Sequence, residues 1–290
     1  MRPTALDSGA SRLPPDASPD LRRNVNGMKV ARGFTLIEMI VVITVTGILV
    51  GGLALFIRRP MEGVMDATRR AGLADAADTA LRRMRRDIQR ALPNSVRVTQ
   101  SGSTWYIEFL PVLTAGRYCA ETDCGASPLN LTSGNSTLSF VGPAPTLSPI
   151  PSGAELVIYN LGTTGADAYA SNNTSTLTAI NASTVTISSK TFPYGSPGYR
   201  FQIIDKPVTY ACTAGGSLTR IWAYTKQASQ PTSTPSGAST AILASNVNAC
   251  SVDYTQAAID QNGLLYMTLQ LTLNGESVNL THAIQINNAP

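Results

Sequence analysis

From Phe34 to Ile57 the chain is apolar apart from a few threonines and glycines, and it carries one formal charge, Glu38. A helix of this length would run roughly 36 Å, against a bilayer core of about 30 Å. From Met61 to Leu92 the pattern changes. Apolar residues recur every three or four positions, at Val64, Ala67, Ala71, Ala74, Ala77, Leu81, Met84, Ile88 and Leu92. That spacing predicts one amphipathic helical face, ended by Pro93. Pro60 lies between the two stretches and predicts a helix kink, because it lacks an amide donor and clashes with the preceding turn.

Beyond Pro93 the chain breaks into short β-type runs: STWYIEFL, STLSFVG, AELVIYNL, STLTAINASTVTISS, YRFQIID, KPVTYAC, LTRIWAY, GLLYMTLQLTL and ESVNLTHAIQI. Gly, Pro, Asn and Ser punctuate them, as expected for antiparallel strands. NASTV reads as a hairpin connection, and Thr225 to Thr240 as an exposed loop. The expected fold class is α+β, a long N-terminal helix packed on an antiparallel sheet head. Its parts are a leader (1–33), a transmembrane or assembly helix (34–57), an amphipathic helix (58–92) and a β-rich head (93–290).

Charge changes this picture only locally. The chain has 290 residues and a formal net charge of +4. Nine arginines fall between Arg58 and Arg90 against five acids, and the residues beyond 100 are charge-poor. The cluster Arg82, Arg83, Arg85, Arg86 and Arg90 reads as a solvated face paired with Asp75, Asp78 and Asp87, or as a contact for acidic neighbours. The head lacks the interleaved cations and aromatics of a nucleic-acid surface, so no nucleic acid is predicted as a partner.

Four cysteines, Cys119, Cys124, Cys212 and Cys250, all follow the apolar segment. An even number there suits disulfides in an oxidising compartment; free thiols or a metal site are the alternatives. Neither pair has the spacing of a zinc knuckle, and no metal is predicted. Of three possible pairings, 119–124 with 212–250 is expected. Loop-closure entropy puts the longer loop at about 4 kcal/mol and the shorter at about 2.

The apolar run is longer than a secretory h-region, and RRP rather than a small-residue cleavage site follows it, so it is expected to stay in the mature chain. Glu38 sets it apart from an ordinary anchor. An acid in a membrane span costs a few kcal/mol and needs a partner, yet the span holds no Lys or Arg. Cleavage between Gly33 and Phe34 would create an α-amino group about 6 Å of helix from Glu38. That ammonium could meet the carboxylate of a neighbouring, axially offset copy.

RGFTLIEMIVVI, from Arg32 to Ile43, resembles the class III signal of type IV pilins and type II secretion pseudopilins. The resemblance implies a membrane prepilin peptidase that cuts after Gly33 and N-methylates Phe34, and it makes Glu38 the assembly carboxylate. It also implies single-pass insertion in a bacterial inner membrane, with a periplasmic head. The implied partners are an assembly platform and the major and other minor pilins. Arg58 and Arg59 blur the charge rule for orientation. MKVARG, from Met28 to Gly33, would be a normal short leader. Translation is expected to begin at Met28, a longer leader being the competing reading.

Downstream, PVTYACTAGGSLTRIWAY, ILASNVNACSVDY and the C-terminal strands resemble J-type minor pseudopilins. With NLGTTGADAYA and FPYGSPGYRFQIIDKPVTY, they resemble more closely a minor pilin of mannose-sensitive haemagglutinin (MSHA) type IV pilus biogenesis.

Little else suggests chemistry. His282 is the sole histidine, and no nucleophile elbow, P-loop, dinucleotide fingerprint, zincin or EF-hand spacing occurs. Asp167 alone is too little for calcium. Asn-x-Ser/Thr triplets such as those at Asn130 and Asn181 are expected by chance. The expected protein is a peptidase substrate and not an enzyme, with no cofactor and no small-molecule substrate. The leading function is a minor pilin that primes assembly or sits near the tip. A type II secretion pseudopilin, or an adhesin or DNA-uptake tip, are the alternatives.

Overall fold

The computed structural model describes residues 33–256 and 262–290; Met28 and the leader up to Arg32 lie outside them. The chain divides into two compact units, Met1–Arg58 and Arg59–Pro290. Helix α1 (Leu36–Ile88) contributes to both, and Pro60 stands inside it.

In the first unit, Leu36–Ile57 has a mean hydropathy of 2.7, and none of it is buried. By length and composition it can cross a membrane. Thr44 does not spoil that: its hydroxyl donates back to the Ile40 and Val41 carbonyls at 2.9 Å, so the polar group is satisfied inside the helix.

The second unit is built on a seven-stranded antiparallel sheet, in the order β1-β2-β9-β10-β11-β12-β13. Its strands are β1 (Arg97–Ser101), β2 (Thr104–Phe109), β9 (Val208–Thr213), β10 (Gly216–Trp222), β11 (Ser239–Gln256), β12 (Asn262–Leu273) and β13 (Glu276–Asn287). The remaining strands form a closed barrel, β3-β4-β7-β6-β5-β8. These are β3 (Val112–Tyr118), β4 (Asn135–Val141), β5 (Glu155–Val157), β6 (Thr174–Ile180), β7 (Thr184–Lys190) and β8 (Arg200–Ile204).

The barrel is an insertion. β2 and β9 pair directly, from Thr104↔Thr213 to Phe109↔Val208, so the chain leaves the sheet and returns at the same place. Closure gives the inserted strands no free edge. They enclose a separate core that includes Leu138, Phe140, Leu156, Val185, Phe192 and Phe201.

The periodic apolar face of α1 is buried only in its second half: Val64, Ala67 and Ala71 are exposed, and Leu73, outside the predicted spacing, is buried. Leu73, Ala77, Leu81, Met84 and Ile88 share one cluster with Ile107, Phe109, Tyr210, Met267, Leu269 and Ile284 of the sheet. Each fully buried Leu, Ile or Met side chain contributes about 1.5–3 kcal/mol. Asp87 pins the end of the helix. Its Oδ2 accepts from the Tyr210 hydroxyl at 2.6 Å and from Arg220 Nε at 3.1 Å. Burial pushes the Tyr210 hydroxyl well above its ordinary range, so it stays a donor.

Helix α1 stops at Ile88, earlier than the predicted Leu92. The backbone has a better use for the last turn. Leu92 N donates to the Leu110 carbonyl at 2.7 Å, and Val112 N to the Arg90 carbonyl at 2.8 Å, so sheet-like pairing replaces helix before Pro93.

The opposite face of the sheet is covered as well. Glu108 is fully buried there. It accepts from Arg97 Nε at 2.6 Å and from the Tyr224 hydroxyl at 2.9 Å. Arg97 also donates to the Gln227 and Ala228 carbonyls and lies 3.6 Å from the centre of the Tyr169 ring. The loop predicted over Thr225–Thr240 is irregular, but it is strapped to the sheet: Gln230 also bonds Thr99 and the Tyr106 carbonyl.

An asparagine knot joins the helix exit, the barrel and the C-terminus. Asn94, with φ of 58°, donates to the Asn160 and Asn288 carbonyls, and Asn160 donates to the Pro93 carbonyl at 2.7 Å. Gly162 (φ +64°) passes so close that an added Cβ would stand 2.8 Å from the Asn94 carbonyl oxygen.

Disulfides join Cys119 to Cys124 and Cys212 to Cys250. The first closes a loop at the end of β3. The second ties β9 to β11, which the sheet order separates by β10.

Candidate functional site

The site begins with three residues ahead of the helix. Gly33, Phe34 and Thr35 have no regular structure, and α1 starts at Leu36. The spacing of 6 Å of helix between Phe34 and Glu38 therefore does not apply, because Phe34 and Thr35 are outside the helix.

Thr35 has a role the sequence reading missed. It is the N-cap: its side-chain oxygen accepts from Glu38 N at 3.3 Å, and its carbonyl accepts from Met39 N at 3.2 Å. Thr35-x-x-Glu38 is the signature of a capping box, which could have been read directly from the sequence. The threonine half of the box is formed. Glu38 lies in the first turn, where a negative charge suits the positive end of the helix. Its carboxylate is exposed and has no hydrogen-bond or ion-pair partner among the described residues.

Gly33 is not demanded by packing. A Cβ built there would meet nothing within 4 Å. The apolar side chains beyond it are equally uncovered: Phe34 is 77% exposed and Phe56 80%. A stretch of irregular, unobstructed backbone is what a protease needs to reach a peptide bond. A capped helical segment such as Leu36–Ile57, which buries nothing of its own, is suited to lie in lipid or against other helices.

The other candidates are structural. His282 Nε2 lies 3.4 Å from Asp78 Oδ1, joining β13 to α1. Asp167 closes a turn by accepting from Tyr169 N at 3.0 Å. Asn181 caps the β6–β7 turn through Thr184, and Asn130 organises the loop at Thr132 and Ser133. The arginine face is only partly paired as expected. Arg82 meets Asp78 at 2.6 Å, but Asp87 is taken by Arg220 and Tyr210, and Asp75 takes no arginine among the described residues. Arg83, Arg85, Arg86 and Arg90 have no side-chain partner among the described residues.

Residues 28–54 match a known family, the prokaryotic N-terminal methylation motif, over less than a tenth of the chain. No curated protein and no solved structure shows significant similarity to the chain. The segment thus carries a type IV pilin-like class III signal, of the kind that prepilin peptidase processes.

Proposed function

We propose that this chain is a minor pilin of a type IV pilus, of the MSHA type, that takes part in priming the filament or in forming its tip. The observation that carries this reading is the methylation motif at 28–54, set on a capped apolar helix whose side chains are all uncovered. The large two-part head suits a low-copy subunit. A type II secretion pseudopilin uses the same signal, and the neighbouring genes distinguish the two machines.

In this reading the peptidase cuts after Gly33 and methylates Phe34, and the head lies in the periplasm. Cleavage puts an ammonium beside the positive end of α1, where like charge is unfavourable. Glu38 answers that charge in its own first turn and that of an adjoining subunit. Burying it unpaired would cost about 2.5–3.5 kcal/mol in a membrane core. The ion pair therefore forms in the assembled bundle, when Phe34–Ile57 moves from lipid to packing against other pilin helices.

The test is Glu38→Gln expressed in the parent bacterium beside its pilus machinery. The variant should be processed to a mature chain beginning at Phe34 but should enter filaments at least tenfold less than wild type, since one lost charge pair of about 1.4 kcal/mol is a factor of ten. Normal filament entry, or a mature chain starting elsewhere, would refute the proposal.

A further inference from the structure

We propose that the cleft at the exit of α1 is a binding site for an apolar peptide segment carrying a carboxylate, presented by a neighbouring subunit. The cleft has a volume of about 420 Å³ and lies entirely within the second unit. Its walls are the turn after α1, the β2–β3 junction and strands β9 and β10. This is the neck where the barrel leaves the sheet.

Two kinds of group face into it. Pro111, Leu113 and Trp222 supply an apolar surface, and Leu113 is 37% exposed. Arg90, Lys206 and Arg220 supply three cations. Arg90 and Lys206 have no side-chain hydrogen bond or ion pair among the described residues. Arg220 spends only its Nε, on Asp87, while its guanidinium sits 5.0 Å from the Trp222 ring centre. Two acids also line the cleft, which leaves a surplus of one positive charge. Asp87 accepts from Tyr210 and Arg220, and Asp205 Oδ1 accepts from Lys206 N at 2.7 Å. The surplus is of donors, and a carboxylate is the acceptor that matches it.

The lysine is placed by its surroundings. Gly153 (φ +88°) lies under its stem, and a Cβ there would come within 2.8 Å of Lys206 Cε. A glycine at this point leaves room for the stem of Lys206.

The occupant is a protein segment because the cationic surface continues along the helix. Arg83 and Arg86 precede Arg90 at helical spacing, are exposed and are unpaired among the described residues. A peptide lying on that stripe would set acids against the arginines and an apolar residue against Trp222. A phosphodiester chain, with one charge on every residue, fits less well a cleft whose surplus is one positive charge and whose floor is apolar. That the segment comes from a neighbouring subunit rests on the assembly reading above; the preference for a carboxylate-bearing peptide does not.

The experiment is calorimetric titration of the full chain in detergent micelles, at low ionic strength. The probes are acetyl-Leu-Phe-Glu-Leu-amide and the same peptide with Gln for Glu. The acidic peptide should bind saturably and about tenfold more tightly than the Gln peptide, the ratio for one charge-assisted contact. Arg90→Gln and Lys206→Gln, both at accessible side chains, should each weaken it by roughly three- to tenfold while leaving the melting temperature in place. Equal binding of the two peptides, no binding of either, or full affinity in the Arg90→Gln/Lys206→Gln double variant would overturn the proposal. So would displacement by equimolar inorganic phosphate, which would mark a simple anion pocket. Failure here leaves the Glu38→Gln result untouched, because the double variant keeps the signal and the apolar helix intact.

Discussion

Arg97→Ala tests how the sheet is held on its outer face. Glu108 is the one carboxylate that is fully buried among the described residues, and Arg97 is its cationic partner. Burial pushes the Glu108 carboxyl above its ordinary value of 4.5, against the pull of Arg97 and Tyr224. Without the guanidinium, an unpaired buried charge would cost about 3–5 kcal/mol. The carboxyl can escape that cost by taking a proton. Holding an ordinary carboxyl neutral costs about 1.4 kcal/mol for each pH unit above 4.5, which caps the electrostatic loss at roughly 3.4 kcal/mol at pH 7 and roughly 0.7 at pH 5. The hydrogen bonds from Arg97 to Gln227 and Ala228, and its stacking on Tyr169, add about 1–2 kcal/mol that does not depend on pH. The expected destabilisation is therefore about 3–5 kcal/mol at pH 7 and about 2 at pH 5.

The direction follows from proton uptake. A carboxyl whose folded value is raised holds more protons in the native state, so stability is greatest below 4.5 and falls as pH rises toward the folded value. Arg97→Ala raises that value further and steepens the fall. Urea unfolding of the full chain in micelles, followed by fluorescence of Trp105 and Trp222 on the sheet, gives the loss at both pH values. Equal losses at pH 5 and pH 7 would refute the account. Adding Glu108→Gln should remove the extra pH dependence.

Two further predictions concern the head. Cys250→Ser opens the loop to Cys212, a sequence separation of 38, and should cost about 4 kcal/mol by loop-closure entropy, read as a lower urea midpoint under oxidising conditions. Gly116→Ala would put a Cβ 2.5 Å from Phe201 Cζ inside the barrel, costing about 1–3 kcal/mol. Hydrogen exchange should accelerate in β3 and β8 first, and protection unchanged in those strands would count against the close packing.

What could be read in advance was local. The apolar stretch, the three-and-four spacing of Leu81, Met84 and Ile88, and the alternation in β12 each depend on a few neighbouring residues, and each appears in the structure as an element of the expected kind. The division into sheet and barrel was not legible. β4 and β9 have similar patterns, yet one pairs with β3 and β7 and the other with β2 and β10, a choice made by partners distant in sequence. β3 was missed because Gly116 weakens its strand signal; the glycine is there to admit the Phe201 ring. β1, RVTQS, is short and polar, and its place depends on pairing with β2. Ile88 and Leu92 keep helical spacing, but the amide of Leu92 finds a carbonyl across the junction instead. Glu108, between Ile107 and Phe109, would ordinarily face water. It is buried because Tyr224, Tyr169 and the 225–240 loop form a layer that no strand pattern announces.

The two ends of the chain use their chemistry differently, and that difference supports the assembly proposal. In the head, acids and amides answer groups of the same chain: Asp87 holds Tyr210 and Arg220, Glu108 holds Arg97, and Asn160 binds the Pro93 carbonyl. At the amino end the pattern reverses. Gly33 leaves space that nothing fills, Glu38 has no ionic partner among the described residues, and the apolar side chains of Leu36–Ile57 cover nothing. Thr35 caps the amide of Glu38, and the carboxylate of Glu38 makes no return bond to Thr35 among the described residues. An acid that suits the positive end of its own helix but is costly in lipid when unpaired gains an ionic partner where another molecule brings a positive charge. In the proposed filament that charge is the amine created at Phe34 of the adjoining subunit.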